Sequence, residues 1–212
     1  MYNPTPFQED RAPALVALIR DHPLATVVRH SAEGLSADHV PLLYKPNDNG
    51  LGTLIGHVAK NNPLWQVSNN EELLLVFQGA STYISPNWYA TKAVHHKVVP
   101  TWNYAVVHAH CTLQAVQEPE QLLGILTELT QHHEANQPKP WQVKDAPAEF
   151  THTLLNHIVG IRLNIVRWQG KWKVSQNQPA ENRQSVVEGL LNNPTQMHTQ
   201  MAHLVKSKNG GD

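Results

Sequence analysis

The residues best suited to chemistry gather in one stretch, Ser85 to Cys111, reading "SPNWYATKAVHHKVVPTWNYAVVHAHC". Such a stretch could hold a metal through its histidines, stack on nucleic-acid bases through its aromatics, or face a flat organic cofactor. The metal reading rests on His108 and His110, which share one strand face, with His95 and His96 upstream. It lacks a nearby Asp, Glu or second Cys, and zinc wants three or four ligands with outer support. No metal-ligating residue is therefore assigned. His132 and His133 close a predicted helix, where imidazolium complements the helix dipole. Cys111 is the single cysteine and falls mid-strand, so it reads as a packing residue, and an intrachain disulfide is excluded. No nucleophile elbow, zinc-protease helix, phosphate loop or dinucleotide fingerprint occurs, and no catalytic residue is assigned.

Two further segments offer binding groups. In "GHVAKNNPLWQ" a strand ends at His57-Val58-Ala59, and Lys60 and Asn61 lead into Asn62-Pro63, an N-cap followed by a proline start. A lysine beside a helix N-terminus makes an anion pocket, although a plain capped turn with a solvated lysine reads the same way. In "YISPNWY" Ser85 caps, Pro86 starts the turn, and Trp88 and Tyr89 follow as an exposed-looking pair that asks for a flat ligand or a partner chain. In "PTWNY" Thr101 and Asn103 point one way, as polar groups suited to the edge of a heterocycle, or as ordinary cross-strand partners.

The elements that must position these groups follow from periodicity. Leu15, Leu18 and Ile19 mark one face of a first helix that Pro23 stops. "LATVVRH", "SADHVPLLYK" and "LGTLIGHVA" predict a three-stranded meander, and "EELLLVFQG" a fully buried strand. "VVPTWNYAVVHAHCTLQAV" predicts one long strand, with Trp102, Tyr104, Val106 and His108 facing away from Thr101 and Asn103. A helix over "PEQLLGILTELTQHHE" should bury Leu122, Leu123, Leu126 and Leu129. "GIRLNIVRWQGKWKVSQN" reads as a strand pair turning at "QG". Two C-terminal helices follow, the second starting near Pro194 with Met197, Met201, Leu204 and Val205 on one stripe. Closely spaced strands with few helices between them argue for an antiparallel barrel, mainly β with flanking helices. Residues 1–205 are expected to form one domain, and 206–212 a disordered tail.

Composition bounds the partners. The 212 residues carry a formal charge of −1, so no global field draws the chain to nucleic acid or anionic membranes. Neither a leader pattern nor a membrane-spanning apolar run is apparent, and a cytoplasmic location is expected.

The segments "MYNPTPFQ", "HVPLL", "GHVAKNNPLW", "VFQG" with "YISPNWY", "KVVPTWNYAVVHAH" and "KVSQN" resemble, in this order, the PaiB-type proteins, the bacterial FMN-binding negative transcriptional regulators. The resemblance runs over nearly the whole chain, with departures at His110 and Cys111. It implies an antiparallel split β-barrel like the flavin reductases and pyridoxamine-phosphate oxidases, and a homodimer with FMN at the subunit interface. Carried over, it places Lys60 and Asn61, with His57 beside them, at the phosphate. Ser85, Trp88, Thr101, Trp102 and Asn103 would line the flavin pocket, and Gln176 and Asn177 of "KVSQN" would touch the cofactor. The implied function is transcriptional repression with DNA as a partner. Only Lys171 and Lys173 or the Lys206/Lys208 tail offer clustered cations, so DNA binding should be weak and salt-sensitive. The alternatives are an FMN-dependent oxidoreductase and a haem-binding split barrel.

Overall fold

The computed structural model describes residues 1–48, 50–68 and 71–209, with the backbone alone at Asn209. Its strands are β1 (Gln8–Glu9), β2 (Leu24–Ser31), β3 (Gly34–Pro41), β4 (Leu43–Lys45), β5 (Thr53–Ala59), β6 (Glu72–Ile84), β7 (Thr101–Val116) and β8 (Ile158–Lys173). The helices are α1 (Ala12–Asp21), α2 (Lys92–His95), α3 (Pro119–Glu134), α4 (Ala148–Leu155), α5 (Ala180–Asn192) and α6 (Gln196–Asn209). Hydrogen-bonded neighbours run β3-β2-β6-β7-β8-β5-β4, and β1 pairs separately with β8. The architecture is antiparallel sheet with flanking helices.

Two compact units emerge. The first comprises Met1–Asp21, Gln78–Val107 and Gln169–Asp212; the second comprises His22–Phe77 and His108–Trp168. In the first, α1 buries Leu15, Leu18 and Ile19 as expected, and α5 and α6 add Val186, Leu190, Met201 and Val205 to the interior. Met197 departs from the expected stripe and is 40% exposed, because α6 begins only at Gln196 and its first turn extends beyond the packed face. Lys206 and Lys208 are helical within α6, not part of a disordered tail; residues 210–212 lie outside the described residues.

Gly170 corrects the expected strand pair. β8 runs through it without a turn, since Gly170 keeps an extended backbone, and a Cβ there would come 2.3 Å from Leu15 Cδ2 and 2.5 Å from the Glu9 carbonyl. The glycine admits α1 and β1 to the strand.

In the second unit the predicted meander resolves into two separate hairpins. β2 pairs with β3 from Leu24↔Pro41 to Ser31↔Gly34, and β4 pairs with β5 from Leu43↔Ile55 to Lys45↔Thr53. Between them Leu42 leaves the ladder and donates its N–H to the Pro23 carbonyl at 2.9 Å, with its side chain wholly buried. Pro41 has no N–H to continue a ladder, which favours the break at this point.

β6 is half-buried, not fully buried. Leu73, Leu75 and Phe77 are inaccessible, while Leu74 and Val76 lie in the register with β2 and are partly exposed. On α3 the buried stripe is Leu122, Ile125 and Leu129, so Ile125 replaces the expected Leu126 and Leu123 sits at its edge. Ile125 and Leu122 come within 3.0 and 3.1 Å of where a Cβ on Gly160 would lie, which fixes α3 against β8. Among the described residues no helix is long and apolar enough to cross a membrane.

Candidate functional site

Local chain chemistry builds the first unit's pocket. Thr101 and Asn103 alternate onto one face of β7, and Lys173 and Ser175 do the same at the end of β8. Ser175 takes a left-handed backbone (φ 65), which ends the strand and turns the chain toward α5. Such a conformation costs roughly 1 kcal/mol for a residue with a Cβ. Together these residues, with Tyr89, Val99, Pro100, Asn177 and Gln178, enclose a cavity of about 150 Å³.

One buried acceptor among its polar groups has no partner. Asn103, 1% exposed, donates from Nδ2 to Ser175 Oγ at 2.8 Å, yet its Oδ1 is buried without any partner. Lys173 donates to Thr101 Oγ1 at 2.5 Å and to the Trp102 carbonyl at 3.0 Å. Burial pushes the Tyr89 phenol up, so it keeps its proton as a donor. Behind the wall, Asn182 accepts from the Thr91 N–H at 3.0 Å and donates to Gln178 Oε1 at 3.2 Å, which holds the loop in place. The cavity therefore presents a cation, a phenol donor and a lone amide acceptor, a set that suits the rim of a polar heterocycle.

Thr101, Asn103 and Asn177 of the expected residues line this cavity. The others in this unit behave differently. Gln176 turns back on its own chain: its Oε1 accepts from the Val174 N–H at 2.7 Å and its Nε2 donates to the Trp172 carbonyl, so the amide is spent locally. Ser85 caps its turn, accepting from the Asn87 N–H at 3.2 Å. Trp88 and Tyr89 are not the exposed pair expected. Tyr89 is 4% exposed, and Trp88 packs where a Cβ on Gly189 would come within 2.4 Å, with the His198 ring edge-on at 6.1 Å. An exposed aromatic pair is formed instead by Trp102 and Tyr83, 52% and 46% exposed and T-shaped at 6.3 Å. Trp102 also donates to Ser81 Oγ at 2.7 Å.

In the second unit the Lys60 turn forms as read. Asn62 Oδ1 accepts from the Leu64 N–H at 2.8 Å, and its Nδ2 donates to Asp38 Oδ1 at 2.6 Å. The helix that it caps is only Pro63–Gln66, too short for a substantial dipole. Lys60 and Asn61 are exposed; the Lys60 N–H donates to the His157 carbonyl at 2.8 Å. Lys60 lines a cavity of about 210 Å³ with Gln117, His152, Leu155 and Asn156. His57 is half-buried on β5; its Nδ1 is buried without a partner, and burial pushes its pKa down, which keeps the ring neutral.

His110 does have a carboxylate neighbour, contrary to expectation: Glu72 Oε1 lies 2.8 Å from its Nδ1, but Arg167 Nη2 takes the same oxygen at 2.6 Å. Glu72 comes across from β6 and was not visible from spacing. Among the described residues no three His, Cys, Asp or Glu side chains converge. Cys111 is fully buried, and burial pushes its thiol up to about 12, as a packing residue should behave.

Sequence reasoning missed Lys173 and Ser175 as pocket residues. The available signal was their spacing of two in "KVS", which repeats the Thr101/Asn103 spacing on another strand. It also assigned Lys171 and Lys173 to DNA. Lys171 is instead buried and donates to the Tyr2 carbonyl at 2.9 Å, and Lys208 pairs with the buried Glu9 at 2.8 Å.

Comparison with known proteins adds a family. The family described as "Putative FMN-binding domain" matches residues 1–167. The chain is 29% identical to "Protease synthase and sporulation protein PAI 2" of Bacillus subtilis, covering 98% of each. It is 30% identical to an uncharacterised Aspergillus fumigatus protein, covering 98% of this chain and 97% of that one. Among solved structures, the FAD and haem binding protein from Mycobacterium smegmatis superposes with a TM-score of 0.54 at 15% identity, over 78% of this chain and 73% of that one. That likeness speaks for the fold alone, which is the split barrel with flanking helices that the sequence led us to expect.

Proposed function

We propose a function that starts from family membership: the chain belongs to the FMN-binding domain family, and its cofactor is FMN. In this reading the first unit's cavity takes the pyrimidine edge of the flavin ring. That edge runs acceptor, N–H donor, acceptor, and the unpartnered Asn103 Oδ1 is the acceptor its N–H needs. Lys173 and Tyr89 supply donors for the flanking carbonyls, with Thr101, Ser175 and Asn177 completing the wall. The cavity admits an edge and not a whole tricycle, so the remainder of the ring needs a further surface. The exposed Trp102 and Tyr83 are the apolar area that a second subunit would cover, which supports a homodimer. Flavin bound here supplies a flat, redox-active ring, and the chain's own residues read its rim and hold a fixed charge beside it.

The biological role that best fits is a flavin-bound negative regulator of the PaiB type. The full-length likeness to the B. subtilis sporulation protein supports it. DNA contact would fall to cations other than Lys171, Lys173 and Lys208, all engaged within the first unit. A second reading, an FMN-dependent oxidoreductase, draws support from Lys173, because a cation near the ring favours electron uptake. Titration of the apo-protein with FMN, followed by light scattering and DNA retention at graded salt, tests the first reading. We expect a flavin-loaded dimer whose DNA retention falls with salt. Turnover of a pyridine nucleotide with no DNA retention would replace it with the second.

A further inference from the structure

A further cavity in the second unit adjoins the Lys60 cavity, with which it shares His152 and Leu155. It occupies about 510 Å³ in the second unit, between α3, the turn at Val143–Asp145 and α4. That volume is within the range of pockets that hold small organic ligands. Its walls include Leu123, Val143, Ala148 and Leu155, and its two charged or titratable lining groups are Lys144 and His152. No carboxylate lines it. Of the acids nearby, Glu134 accepts from the Trp141 N–H at 3.0 Å, Asp145 from the Gln142 N–H at 2.9 Å, Glu128 pairs with Lys45 at 2.5 Å, and Glu149 is exposed on α4 outside the lining. Lys144 makes no ion pair among the described residues. The hydroxyl protons of Thr127 and Thr151 go to their own helical carbonyls, at 2.8 and 3.3 Å, so neither hydroxyl demands a polar ligand body.

A largely apolar hollow whose lining carries a lysine and no carboxylate matches one ligand chemistry. We propose that this cavity binds an amphipathic monocarboxylate, with the apolar body against Leu123 and Leu155 and the carboxylate at Lys144. Burial of the body supplies the affinity, and the ammonium selects acid over alcohol. None of its lining residues was assigned to FMN, and Lys144 is absent from the lining of the neighbouring Lys60 cavity, which shares only His152 and Leu155 with it.

The test uses the full FMN-loaded chain, 4-phenylbutyrate as probe and 4-phenylbutan-1-ol as its uncharged counterpart, with calorimetric titration as the readout. We expect saturable binding of the acid, about tenfold weaker in Lys144→Gln, with the alcohol unchanged by that substitution. Ala148→Trp, at an exposed position, fills the cavity and should abolish both. Thermal melts and retained flavin absorbance verify that each variant is folded. Absence of saturable acid binding to the wild type overturns the proposal. Binding that survives Ala148→Trp, or that Lys144→Gln leaves unchanged, overturns it equally.

Discussion

The two units treat polarity in opposite ways. Every buried polar or charged residue described, from Glu9 and Asn103 to Lys171, Ser175 and Asn182, belongs to the first unit. The second has an apolar core, with Ile55, Val116, Ile125 and Leu129 in one cluster, and its Lys45–Glu128 ion pair stands at the surface, 48% and 43% exposed. Buried polar groups are costly unless satisfied, so a unit that keeps several has accepted a constraint on its sequence. The difference is one of composition: the first unit's interior holds directed polar contacts, the second's holds apolar packing.

The largest effect should come from Glu9. Its carboxyl is 1% exposed; burial alone would raise its pKa, but Arg11 and Lys208 outweigh that and hold it at about 2, below the usual 4.5. Glu9→Ala leaves Lys208 unpaired and should cost about 3 kcal/mol by denaturant titration. Because the folded pKa is the lower one, this stabilisation is complete above pH 4.5 and declines as the pH falls from there toward 2. A flat stability profile across that window would break the contrast.

Next in size, Asn103→Leu removes the orphaned acceptor together with the Ser175 bond. We expect FMN and riboflavin to weaken alike, by about 2 kcal/mol or thirtyfold, in fluorescence titrations. Loss of FMN affinity alone would move Asn103 from ring to phosphate. Lys60→Glu gives the converse signature, about tenfold weaker FMN with riboflavin unaltered, if its exposed ammonium meets the phosphate. Equal losses for the two ligands would remove that assignment. Smallest of all, Lys45→Gln should shift stability by less than about 1 kcal/mol, since both partners are well exposed. A larger loss would show that the second unit also depends on a charge.

Legibility in the sequence followed range. The α1 face, the Asn62 and Ser85 caps and the alternation along β7 are set by neighbours a few residues away, and they formed as read. Features set from afar were misread. Gly170 resembles a turn residue until Leu15, far back in the chain, is seen to fill its missing Cβ. Trp88 looks exposed until Gly189 makes room for it. Glu72 meets His110 only once the strands that carry them are side by side. At the candidate site the sequence identified Thr101, Asn103 and Asn177, but not Lys173, whose charge suggested a DNA contact. Gln176 carried the right chemistry and gave it to its own backbone.

Cys111 has a practical consequence. With burial pushing its thiol up to about 12, it carries almost no thiolate at neutral pH. As the chain's single cysteine, it leaves the native protein close to silent toward maleimides and other thiol reagents. One cysteine introduced at exposed Asn61, or at exposed Asn177, would then carry a dye alone, with no background mutation required. Fluorescence from each position during titration with FMN would show whether either unit responds to it.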